Sequence, residues 1–198
     1  MKRLLVLAAA CLLSLGLLGC APGAAAALTV NGDEILTVDE LQTQLDGIAD
    51  DEDFMTTFDA RGAGEATVST GFVTSVLSNH VLTRLLETEL AAQDVEVTEA
   101  DIATGTEQLA GAVGGSVEDV PEAYRETLID LFSYATALQG SLGGDEQALQ
   151  GRITELLADA DVEVNDRYGS WDTATASVVA PEGPVSATTL PSPTAPAG

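Results

Sequence analysis

Apolar residues are distributed along this chain in several different periods, and each period predicts a different kind of element. Residues 4–18 form an almost unbroken apolar run behind Lys2 and Arg3. Leu28, Thr29 and Val30 are β-prone and end in Asn31–Gly32, a dipeptide that tolerates positive φ and marks a turn. Thr37 and Glu40 have the spacing of a capping box, in which hydroxyl and carboxylate each satisfy a backbone N–H at a helix start. Val38, Leu41, Leu45 and Ile48 then recur on one helical face as far as the acidic group Asp50, Asp51, Glu52 and Asp53. Residues 54–70 carry Phe54, Met55 and Phe58 without a sustained period and read as a loop with apolar anchors.

The strongest signal lies between residues 71 and 93. Phe72, Val73, Val76, Leu77, Val81, Leu82, Leu85, Leu86 and Leu90 make a broad helical stripe, expected to be the spine of the core. His80 falls on its flank. Thr98 and Asp101 repeat the capping pattern before a thinner helix with Ile102 and Leu109, which ends at Gly111, Gly114 and Gly115. Pro121 suits a helix first turn, and Tyr124, Leu128, Leu131, Ala135, Leu138 and Leu142 follow at spacings of three and four. After Gly143 and Gly144, Asp145 can cap a last helix that faces inward through Leu149, Ile153, Leu156 and Leu157. Val162, Glu163 and Val164 alternate as a strand does. A lone strand leaves backbone groups unpaired, so Leu28, Thr29 and Val30 are expected to pair with Val162–Val164. The fold class is therefore mainly α, a helical body closed by two short strands near its ends.

The N-terminal run is too short to span a bilayer comfortably. Its basic start and apolar body are those of an export signal. Leu17, Leu18, Gly19 and Cys20 at its end resemble the lipobox of bacterial lipoproteins, in which Cys20 becomes the acylated N-terminus. That implies a signal peptide over residues 1–19, a lipidated tether over 20–27 and a domain over 28–172. The chain would then be anchored in the lipid bilayer through Cys20, on the extracytoplasmic face of a bacterial cell membrane. Residues 173–198, rich in Pro, Thr and Ala, are expected to be a disordered tail.

Removing the signal also removes Lys2 and Arg3, leaving Arg61, Arg84, Arg125, Arg152 and Arg167 against 32 acidic residues, a charge of −27. Nucleic acid is excluded as a partner, because phosphate binding needs clustered cations. With Cys20 acylated and Cys11 lost with the signal, no thiol remains for a disulfide or a metal site. One histidine cannot build a two-histidine metal site. The acidic group at residues 50–53 lacks the alternate spacing and central glycine of an EF-hand. No nucleophile elbow, zinc-binding H-E-x-x-H or phosphate-cradling loop is present, so the reading is a non-enzyme that needs no cofactor.

The opening Val30–Asn31–Gly32, Ile35, Thr37 and Leu41, with the closing Val162, Val164, Asn165, Asp166, Arg167, Tyr168, Gly169, Ser170, Trp171 and Asp172, resembles a known family. It is similar to the SurA N-terminal-like domain of extracytoplasmic foldases, PrsA lipoproteins included, and to actinobacterial lipoproteins that carry this domain alone. The resemblance implies a chaperone module that holds unfolded or partly folded exported proteins against apolar crevices between helices. Foldases of the family continue into a parvulin prolyl isomerase with a pair of histidines. Here too few residues follow Asp172 for such a domain, so no isomerase activity is expected. Phe54, Phe58 and Phe72 are the candidate client-facing residues, with core packing as their alternative role. A scaffold that binds one folded envelope partner is the competing functional reading.

Overall fold

In the computed structural model, residues 25–62 and 67–181 are described. The expected signal peptide, Cys20 and the C-terminal residues from 182 lie outside them. The described chain is mainly helical with short antiparallel strands, in the order β1 (Ala26–Val30), β2 (Asp33–Thr37), α1 (Val38–Ala49), α2 (Glu52–Thr57), α3 (Thr70–Ala92), α4 (Glu99–Val113), α5 (Glu122–Ser141), α6 (Glu146–Asp159), β3 (Val162–Val164), β4 (Ser170–Asp172) and β5 (Ser177–Val179).

The expected closure is present. β1 pairs antiparallel with β3, Leu28 opposite Val164 and Val30 opposite Val162. Asn31 N–H donates to Asp161 O at 2.7 Å, and Asn165 N–H donates to Ala27 O at 3.0 Å. On its other edge β1 pairs with β2, a strand the period-based reading did not include, so β1 is central in the order β2-β1-β3. The Asn31–Gly32 turn makes this hairpin possible: φ is +53° at Asn31 and +85° at Gly32, the two positive values of a tight primed turn. The family-like closing motif turns out to tie the ends together. The Asn165 side chain donates to Ala26 O at 3.1 Å and accepts from Arg167 N at 3.2 Å, while Tyr168 is buried.

Two expectations are corrected. Residues 54–57 belong to a short helix and not to a loop, because Asp51 caps it, its carboxylate accepting from Phe54 N at 2.9 Å. Residues 173–181 do not belong to the expected disordered tail. Thr173–Ala176 turn the chain back into β5, and Val178, 5% exposed, packs into the core while its N–H donates to Ser78 Oγ at 3.1 Å. Buried Val178 and the pairing of β5 with β4 supply what a disordered segment lacks, buried surface and backbone partners to offset chain entropy. Gly169 permits the close: its φ is +138°, and a Cβ there would lie 2.1 Å from Val179 O.

The core is one large cluster around β1, α1, α3 and α5, with a second cluster of Leu86, Leu90, Ala137, Leu138 and Leu149 where α6 meets α3 and α5. Val76, Leu77, Val81 and Leu86 of α3 are all fully buried, which makes this helix the spine its stripe predicts. Beside the second cluster, Arg152 grips Glu89 with two bonds of 2.7 and 2.8 Å, joining α6 to α3. The Glu89 side chain is only 9% exposed, and the guanidinium holds its carboxyl below the usual range.

Helix α4, thin in apolar residues, compensates by close approach. A Cβ at Gly105 would sit 2.6 Å from Ser133 N and 2.9 Å from Phe132 C, so only glycine lets α4 lie directly on α5. Gly111, in the same helix, has nothing within 4 Å of such a Cβ. Gly105→Ala is expected to cost about 1–3 kcal/mol in overpacking. Gly111→Ala should instead stabilise by about 0.5–1 kcal/mol through helix propensity alone. Urea unfolding of the two variants checks the opposite signs.

Candidate functional site

The residues singled out for function meet at one corner, where α2, α3 and α5 converge. Asp51 starts α2 so that Phe54 and Met55 point inward, at 4% and 1% exposure. The Phe54 ring lies 4.5 Å from that of Phe58 and meets Phe72 edge-on at 5.8 Å. Phe72 in turn meets Tyr124 edge-on at 6.3 Å. Such tilted and edge-to-face arrangements suit the ring quadrupoles. Tyr124 is itself fixed, its hydroxyl accepting from Asn79 Nδ2 at 2.5 Å, and burial pushes its pKa up to about 12. The three expected phenylalanines are thus brought together, but not equally. Phe54 is a core residue, whereas Phe58 and Phe72 are half-buried and keep a solvent face.

An open cleft of about 800 Å³ lies alongside, between α1, the start of α2 and the start of α5. Asp50, Asp51, Glu52, Asp53 and Glu122 line it together with Thr43, Gly47 and Pro121, and no cation is among its lining residues. Its floor is narrow because Gly47 lets α1 approach α5, with the position of a Cβ only 2.9 Å from Ala123 Cβ. Four of the five arginines after residue 20 are held in bonds, and of these only Arg61 reaches a residue of the cleft, through the Glu52 backbone carbonyl. Arg84 bridges Asp33 and Glu87, Arg152 bridges Glu89 and Glu155, Arg125 donates to Val120 O and Glu118 O, and Arg61 reaches Glu52 O at 3.5 Å. The acidic excess therefore faces solvent with few compensating charges.

No protein-family model, curated protein or solved structure matches this chain. The corner is therefore read on its own geometry. It offers two half-open aromatic rings and an anionic trough, a surface suited to apolar and cationic side chains. Among the described residues no group of three or more His, Cys, Asp or Glu is placed to hold a metal ion, and no helix is long and apolar enough to cross a membrane.

Tyr124 and the cleft were not legible as a site from the periodicity. Tyr124 reads as one of many positions on a buried face, and only the fold puts it beside Phe72. A usable signal did exist at Asp51, three residues before Phe54, which is the spacing of a capped helix start.

His80 lies behind Gln44, which is bonded to the cleft residue Ala123. Gln44 Nε2 donates to Ala123 O at 3.0 Å, which turns the Gln44 carbonyl toward His80 Nε2 at 2.9 Å. The imidazole must then donate from Nε2, the neutral tautomer that leaves Nδ1 as an acceptor. Burial pushes the His80 pKa down from 6.5 to about 4, and Glu40 offsets only part of this. The unfolded chain binds a proton near pH 6.5 that the folded chain refuses until about 4, so this group favours folding fully above 6.5 and progressively less as the pH falls toward 4. Chemical denaturation between pH 6.5 and about 5, above the range of ordinary carboxylates, should show stability falling with pH, and His80→Gln should flatten that slope.

Proposed function

We propose that this chain is a membrane-anchored extracytoplasmic holdase lipoprotein that binds unfolded exported polypeptides and has no prolyl isomerase activity. The observation that carries the reading is the pair of half-open Phe58 and Phe72 rings packed on Phe54 of α2, the helix whose first turn lines an anionic cleft. Unfolded segments that present apolar residues flanked by Lys or Arg match both halves of that surface, through apolar burial and charge without sequence reading. Acylation of Cys20 would keep the domain beside the bilayer, where exported chains emerge unfolded, with two or more acyl chains giving stable anchorage. The net negative charge would keep client complexes soluble.

A second reading, a scaffold for one folded envelope partner, is favoured by a different observation. Among the described residues the only exposed large apolar side chains are Ile102 and Val179, little surface for promiscuous binding.

Light scattering from an aggregating denatured protein separates the two readings, using the chain from residue 20 onward with Cys20→Ser. The holdase reading expects suppression at near-stoichiometric amounts, weakened severalfold by Phe58→Ser or Phe72→Ser, which leave buried Phe54 in place. No suppression of several clients by the folded chain would overturn it in favour of the scaffold. In cells, Cys20→Ser should abolish acyl labelling and move the protein from the membrane to the soluble fraction, and an acylated, membrane-bound product would refute the lipobox.

A further inference from the structure

Helix α6 is weakly held. Leu149 is its one buried residue, while Ile153, Leu156 and Leu157 are half-buried. Gly151 sits in its middle with nothing within 4 Å of the position of a Cβ, so the helix carries the entropy cost of glycine with no packing in return. No cation lies in its last turn, where Asp159 adds negative charge to the negative end of the helix dipole. Among the described α-helices only this one has a C-cap N–H that bonds to no carbonyl of its last turn. The strand behind it, β3, is held by β1, so α6 can open locally while the sheet stays paired.

What α6 covers is an apolar surface with one charge in it. Leu86 and Leu90 of α3 and Ala137 and Leu138 of α5 are each no more than 5% exposed, and Leu149 completes their cluster. Glu89 lies beside Leu90, and its nearly buried carboxylate accepts two bonds from Arg152 and one from Gln93. Arg152 is the only cation bonded to it among the described residues. Once α6 leaves, a carboxylate at the edge of an apolar surface has lost its counter-charge, which is costly. A segment that takes the place of α6 therefore has to bring a cation as well as apolar side chains. The spacing is set by α6 itself, with Leu149, Arg152, Ile153 and Leu156 at i, i+3, i+4 and i+7.

We propose that α6 is a displaceable cover, and that the groove it vacates between α3 and α5 binds an amphipathic helical segment of an unfolded client that carries Arg or Lys three residues after an apolar anchor. The mode is a helix laid in a groove, and α6 is its resident competitor. A covered groove reconciles client binding with a closed chain whose only exposed large apolar side chains, among the described residues, are Ile102 and Val179. Charge selects among occupants, since a second copy would bring −27 to an acidic surface. The inference rests on the holdase reading and adds to it a client surface about 21 Å along α3 from Phe72, taking Leu86 as its centre.

The test uses the chain from residue 20 onward with Cys20→Ser, followed by NMR. The Ile153 and Leu156 amides are expected to exchange at least tenfold faster than those of Leu86 and Leu138. The probes are a peptide of the α6 sequence from Asp145 to Asp159 with Glu146→Lys and Glu155→Lys, and the same peptide with Arg152→Gln as well. The arginine peptide should shift the methyl resonances of Leu86, Leu90 and Leu138 and bind at least tenfold tighter than the glutamine peptide. Gly151→Ala in the chain, which strengthens the competitor without touching the groove, should weaken that binding about fivefold. Exchange at Ile153 and Leu156 as slow as at Leu86, equal binding of the two peptides, shifts confined to residues 50–58, or exchange of α6 between copies in a dimer would each overturn the proposal. Suppression of client aggregation without peptide binding would sink the groove and leave the holdase, whereas peptide binding without suppression would leave a helix-binding groove and sink the holdase.

Discussion

The structure depends on one constraint, that the backbone of β1 is buried and must be paired on both edges. Ala27, Leu28 and Val30 are essentially inaccessible to solvent, so none of their N–H or C=O groups can turn to water. β2 meets one edge through a local turn. The other edge has to be met from the far end of the chain, by β3, and this requires every helix between to return the chain to its starting point. The short connections, the glycine-ended helices and the Asn165 side chain clasp all serve that return.

Close approach and charge placement complete the body. Gly105 and Gly47 bring α4 and α1 onto α5 at distances that any side chain would prevent, which lets helices with few large apolar residues still exclude water. The scarce cations are placed where they join elements: Arg152 ties α6 to α3, and Arg84 ties α3 to the β2 hairpin. A buried carboxylate such as Glu89 needs its partner, since removing one member leaves an uncompensated charge. Using arginine in this way leaves an outer surface dominated by carboxylates, most concentrated at the cleft between α1, α2 and α5. The functional proposal rests on that surface and on the two half-open rings packed on Phe54.

The fold was legible where a single period or capping pattern had no competitor. Thr37 with Glu40 and Thr98 with Asp101 form the capping boxes their spacing suggests, and the stripe from Val76 to Leu90 is buried. The β1–β3 pairing was legible too, because lone strands need partners. β2 was not, because Asp33 and Glu34 mask its alternation and its pairing with β1 is interrupted by two register shifts. β5 was hidden by its neighbours: Val178 and Val179 are a brief apolar island before a Pro- and Thr-rich end, and only pairing with β4 and contact with α3 give them order. At the candidate site, the three phenylalanines could be named from composition and spacing. Their unequal burial could not, since it depends on how α2 and α3 pack: Phe54 points inward from α2, while Phe58, just past its end, and Phe72 in α3 stay half-buried.

Closure of the domain by β1 and β3 is the central structural claim, and native-state amide exchange tests it most directly. The informative amides are Asn31, Glu163 and Asn165, which face across the ladder, and not Val162 or Val164, which point outward. The account predicts that these three exchange only through global unfolding, with the same protection as core amides of α3 such as that of Leu85. Exchange orders of magnitude faster than Leu85, with α3 still protected, would show that the ends are not joined and that the helical body stands without them.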